Sequence, residues 1–182
     1  VLDAQISTNI YVNNNFAFDS EDSDFKPYRM WLRYSTARFE ARLGLQKINF
    51  GSATLLRPLM WFDQIDPRDP LQITNGVYAV LFRYYFLNNA NLWAWSIYGQ
   101  DERKGMELAP SVKGSGEFGA RLQIPLFNGE VAGTFHKRRM EYIVEETNEY
   151  RYAMDGKWDY GIGFWFEAVF QHNDLKVNEL QD

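Results

Sequence analysis

Cysteine is absent from this 182-residue chain. That excludes a disulfide scaffold and thiolate metal sites, both of which need the sulfur. Histidine is scarce: only His136 and His172 occur. No H-E-x-x-H, G-x-S-x-G or P-loop pattern is present, so the chain is not expected to be an enzyme. GEFGARL (116–122) is not a nucleotide loop, because Gly119 falls inside a period-two strand pattern. A basic surplus is also missing. The net charge is −5, which excludes nucleic acid as the expected partner. No run approaches the ~20 apolar residues of a transmembrane helix. The first residues, VLDAQISTNIYV, lack the charged-then-apolar layout of a signal peptide. Asp63, Asp66 and Asp69 stand three apart, but Pro67 and Pro70 follow two of them and no EF-hand pattern exists. No metal or cofactor is expected.

Aromatic residues, in contrast, make up 17% of the chain. They lie in long stretches of strict alternation, the mark of two-faced β-strands. Strand one is expected over about 3–12, with Ala4, Ile6, Thr8, Ile10 and Val12 on one face. A polar loop, 13–27, follows. Strands are then expected at about 28–36, 39–50, 77–87, 91–101, 117–126 and from 129 on. On the fifth, Trp93, Trp95 and Ile97 are read as the apolar face. The stretch YRYAMDGKWDYGIGFWFEAVF (150–170) reads as one strand of about twenty residues. A ninth strand is expected to begin beyond a turn near 173. Tight turns near 37, 89, 128 and 173 alternate with longer connections at 13–27, 51–76 and 102–116. The 182 residues are read as a single domain.

An antiparallel meander with unlike faces closes either as a soluble barrel or as a membrane barrel. The apolar face is bulky and nearly free of charge. Tyr34, Phe39, Phe86, Trp93, Phe127 and Phe170 cluster near the tight turns, where an interfacial girdle would lie. These features favour a transmembrane β-barrel, with about eight strands visible and the start of a ninth, as part of a larger barrel. Lipid and small polar solutes are then the expected partners, and a homo-oligomer or larger assembly the expected form. The alternatives are a soluble barrel holding an apolar ligand, and an outer-membrane barrel with a structural or assembly role.

Residues 42–85 carry a further pattern. Gln46-Lys47-Ile48-Asn49-Phe50-Gly51 runs into a loop with Asp66-Pro67 and Asp69-Pro70, and the next strand opens at Gly76. This resembles porin-like outer-membrane proteins of Gram-negative bacteria, alginate-export-type channels among them. The resemblance implies a diffusion or export channel in the outer membrane.

The polar face supplies the candidate pore-lining residues: Arg29, Arg33, Glu40, Arg42, Arg83, Glu117, Arg121, Glu130, Asp155, Lys157, Asp159 and Glu167, with Gln46, Gln100, Gln123 and His136 beside them. Their plainer role is to tie strands together. In loop 51–76, Leu55, Leu56, Leu59, Met60, Trp61 and Phe62 could fold inward and present Arg57, Asp63, Asp66, Arg68 and Asp69 as a constriction. The other reading is an external loop packed on its neighbours.

Overall fold

The structure, a computed structural model, describes residues 1–15, 20–53, 57–63, 74–99, 103–105, 107–142 and 145–174. The described strands are β1 (Leu2–Asn15), β2 (Ser20–Ser35), β3 (Phe39–Gln46), β4 (Val77–Tyr85), β5 (Asn91–Tyr98), β6 (Gly116–Leu126), β7 (Gly129–Tyr142), β8 (Glu145–Asp159) and β9 (Gly163–Asn173). Each pairs antiparallel with the next in chain order, forming one nine-stranded sheet.

Period two decides what each face carries. One cross-strand row runs Leu2, Tyr34, Ala41, Phe82, Ala94, Ala120, Phe135, Tyr152 and Phe170. No member is charged, and most of the large ones are exposed. The next row, on the opposite face, runs Asp3, Arg33, Arg42, Leu81, Trp95, Gly119, His136, Arg151 and Gln171. This charged face is where the core sits. The segment after β3 folds back over it, so that Ile48, Phe50, Leu59, Trp61 and Phe62 pack on Val77, Leu81, Trp95 and Ile97. The Phe50 and Trp95 rings stack at 5.4 Å. Polar strand residues and loop aromatics thus share one buried layer, while the apolar face stays open.

Several expectations need correcting. First, the sheet is open: among the described residues β1 and β9 are its two edges, and they do not pair with each other. A lipid-spanning sheet must leave no edge, because each unpaired backbone group costs several kcal/mol there. The closed barrel is therefore not what forms. The membrane channel, the outer-membrane placement, and lipid and traversing solutes as partners fall with it. So do the soluble barrel and the structural or assembly barrel, since both need closure.

Second, residues 150–170 are a hairpin and not one strand. β8 ends at Asp159 and β9 starts at Gly163. Asp159 Oδ1 accepts from the Gly161 N–H at 3.0 Å, and Gly161 has φ 82°, a left-handed conformation that glycine tolerates. The loop between the paired residues Asp159 and Gly163 has odd length, so even-numbered residues face outward on both strands: Trp158 lies opposite Phe164. Alternation runs through the turn unbroken.

Third, most of the expected loop 13–27 is strand, since β1 reaches Asn15 and β2 starts at Ser20. A register shift between Ser7 and Thr8, opposite Pro27, accompanies it. Proline offers no N–H to the ladder, and a bulge absorbs the gap. Finally, β5 is turned over. Trp95 and Ile97 face the loop-covered layer and are buried, while Ala94 and Ser96 face outward. Neither face of β5 carries charge, so period two alone could not orient it.

Candidate functional site

The charged face divides into two regions, one balanced in charge and one with a cation in excess. The first is covered by residues 103–105 and 107–115. There Lys104, Arg138 and Arg151 meet Glu107, Glu117 and Glu149, three cations against three anions. Arg138 Nε lies 2.6 Å from Glu149 Oε1, and its Nη1 lies 3.1 Å from Glu107 Oε2. Arg151 bridges Glu149 at 2.5 Å and Glu107 at 3.3 Å. Lys104 Nζ reaches Glu117 Oε1 at 2.6 Å, where the Ser111 hydroxyl also donates at 2.6 Å. The charged side chains of this network are at most 5% exposed.

His136 completes this region. Trp95 Nε1–H can only donate, and it points to His136 Nδ1 at 3.3 Å. The ring proton therefore sits on Nε2, which donates to Glu117 Oε2 at 3.2 Å. Burial lowers the His136 pKa to about 4, despite the opposing pull of Glu117. Burial alone would raise the Glu117 carboxyl. The hydrogen bond from His136 and the charge of Lys104 outweigh it and bring the pKa to about 2. Both nitrogens of His136 are thus engaged within the wall of this region.

Between the two regions, Arg121 forms a two-pronged pair with Asp155 at 2.5 and 2.8 Å and donates to the Thr134 hydroxyl at 2.9 Å.

The second region lies toward the short turns, on β2, β3 and β4. Three guanidiniums converge on one carboxylate. Arg42 Nη2 is 3.1 Å, Arg83 Nη1 3.4 Å and Arg33 Nη1 3.7 Å from Glu40. Asp3 takes Arg33 alone, at 2.6 Å. Two carboxylates therefore face three cations. Arg42 stacks on the Trp31 ring at 4.6 Å and Arg83 on Trp93 at 3.9 Å, which fixes both planes. The Nε–H groups of Arg42 and Arg83 are buried and find no acceptor among the described residues. Burial, together with the charges of Arg83 and Arg33, holds the Arg42 guanidinium below its usual value despite Glu40. Arg33 keeps about a third of its side chain exposed, so this region is reachable from solvent.

The other candidate positions fall outside these clusters. Arg29 donates to the Thr74 carbonyl and hydroxyl. Glu130 accepts from Gln123 at 2.6 Å. Lys157 is exposed opposite Glu130 in the register. Asp159 caps the turn before β9. Glu167 Oε1 accepts from the Ala53 N–H at 2.6 Å. Gln46 donates to the Ala79 carbonyl. Arg57 donates to Asn49. Asp63 is buried and pairs with Lys47 at 3.4 Å; burial raises its pKa, and Lys47 opposes that. Asp66, Arg68, Asp69 and Gln100 lie outside the described residues.

Sequence reasoning missed Lys104, Glu107, Arg138, Glu149 and Arg151 as a unit. Arg138 pairs with Glu149 in the β7–β8 register, and period two puts both on the His136 face. The register hid that pair, and the path of the segment carrying Lys104 and Glu107 hid the rest.

No protein-family model, curated protein or solved structure matches this chain. The expected kinship with porin-like outer-membrane proteins is therefore without support from relatives, and the open sheet contradicts the barrel it implied.

Proposed function

We propose that the chain is a binding module that takes a carboxylate- or phosphate-bearing anion at Arg33, Arg42 and Arg83, without converting it. The observation that carries this reading is the sharing of Glu40 by three guanidiniums while two buried Nε–H groups find no acceptor among the described residues. Buried donors are nearly always satisfied, and an orphan costs about 1–3 kcal/mol. An incoming oxyanion supplies both the missing acceptors and the missing negative charge. Arginine forks on aromatic platforms suit such a ligand, because their planes are fixed before it arrives. The balanced network around Glu117 offers no comparable vacancy of charge.

Calorimetric titration with inorganic phosphate and with benzoate tests the proposal. One saturable site is expected, weakening as salt rises. Arg42→Gln and Arg83→Gln should each weaken it by tenfold or more, while Lys157→Gln should leave it within twofold. Equal binding by wild type and both arginine variants would refute it.

A further inference from the structure

The outward face is the largest feature that neither the core nor the anion site accounts for. On β3 to β6 none of its positions is charged, and Leu43, Tyr78, Phe82, Leu92, Phe118 and Leu122 stand exposed on it. From β2 to β8, strands about 4.8 Å apart, each of eight residues or more at about 3.3 Å per residue, present roughly 900 Å². A stable interface takes about 800 Å² from each partner, and a lone chain rarely exposes an apolar patch of that size.

The relief of this face specifies what fits it. The row through the middle strand reads Ala41, Phe82, Ala94, Ala120 and Phe135. Reflected about Ala94, each phenylalanine falls on an alanine: Phe82 on Ala120, and Phe135 on Ala41. A neighbouring row reads Phe39, Tyr84, Leu92, Leu122 and Gly133. Reflection about Leu92 sets Phe39 on Gly133, where a Cβ would meet nothing within 4 Å. In the row on the other side, Val80 and Phe118 exchange places about Ser96. Val80 and Ser96 line a hollow of about 400 Å³ with Leu43, Tyr78 and Tyr98, and Phe118 stands out as an exposed knob. A foreign partner does not need bulk and vacancy mirrored about one strand. A two-fold contact does, because residue i meets j and j meets i.

We infer that a second copy of the chain covers this face. The two sheets pack face to face about an axis running along β5, so that β5 lies on β5, β4 on β6 and β3 on β7. The strands of the two copies run in nearly the same direction, as in aligned sheets about 10 Å apart. Phe118 of each copy enters the hollow of the other, and Phe82 sits on Ala120. The contact uses the middle of the sheet, so neither edge strand enters into it. It is independent of the anion site, which lies on the opposite face.

Sedimentation equilibrium of the full chain over a wide range of concentrations should show a monomer–dimer equilibrium. Ala120→Phe fills the place of Phe82 and should weaken the dimer at least tenfold. Adding Phe82→Ala restores the pairing of large with small and should return the affinity to within threefold of wild type. Loss of folding cannot imitate that rescue, and urea unfolding of each variant checks it. The register is read separately, since the chain has no cysteine of its own. Ala94→Cys lies on the axis and should link to its mate through a short bismaleimide. Ile6→Cys, exposed on β1, should not, because its two copies stand some eight strand spacings apart, about 40 Å. A monomer at every concentration, an Ala120→Phe dimer as tight as wild type, a failed rescue by Phe82→Ala, or linking at Ile6→Cys in place of Ala94→Cys would each overturn the inference.

Discussion

Removing the Arg138 charge should cost far more stability than its single position suggests. Its guanidinium holds Glu149 through two contacts at 2.6 and 3.0 Å and Glu107 at 3.1 Å, and it donates to the Ala109 carbonyl and the Ser111 hydroxyl. In Arg138→Gln the six-charge network goes from neutral to −1 among side chains that are at most 5% exposed. Breaking a buried pair by deleting one partner costs about 3–5 kcal/mol. Arg151 and Lys104 still hold the two glutamates, which argues for the middle of that range, about 4 kcal/mol. With a urea slope of about 2 kcal/mol/M, the midpoint should fall by about 2 M. The assay is equilibrium urea unfolding followed by tryptophan fluorescence, with Arg138→Lys as a charge-preserving control that loses less. A loss below about 1 kcal/mol in Arg138→Gln, with an unchanged slope, would refute the view that this network is a paired structural unit.

Arg83→Gln should behave differently: it removes surplus charge beside Glu40 and should leave the unfolding free energy within about 0.5 kcal/mol of wild type. Acid should destabilise the chain in two windows. The unfolded chain binds more protons than the folded one wherever a folded pKa lies below the unfolded value, so stability falls with falling pH from ~6.5 to about 4 through His136 and from ~4.3 to about 2 through Glu117. Urea midpoints measured across pH should show His136→Gln flattening the first window, and narrowing the second as far as it removes the hydrogen bond that holds Glu117 down; an unchanged first window would contradict the buried neutral histidine. Gly119→Ala should lose about 1–3 kcal/mol in the same assay, because a Cβ there would come within 2.5 Å of the Trp95 ring.

The two faces of the sheet were legible because period two is a local property: Leu122, Phe82 and Tyr152 face outward as their parity predicts. The β8–β9 turn was hidden by the same rule, since an odd loop preserves parity through Tyr160, Gly161 and Ile162. Asp159 two residues before Gly161 was the available signal. Closure was not legible, because nothing in an amphipathic strand says whether its last neighbour returns to the first. The site followed the same division. Arg33, Glu40, Arg42 and Arg83 were identified from the polar parity of their strands, whereas the sharing of Glu40 needed the β2–β3–β4 register. The Lys104 network needed more, because Lys104 and Glu107 come from a loop whose path across the sheet no periodicity describes.

The most direct measurement is a phosphate titration of Glu40→Gln beside wild type. Glu40 is the internal anion that an external one must rival for the same three guanidiniums. Neutralising it should tighten phosphate binding by about tenfold, the equivalent of about 1.4 kcal/mol. Unchanged or weaker binding in Glu40→Gln would contradict an anion site at Arg33, Arg42 and Arg83.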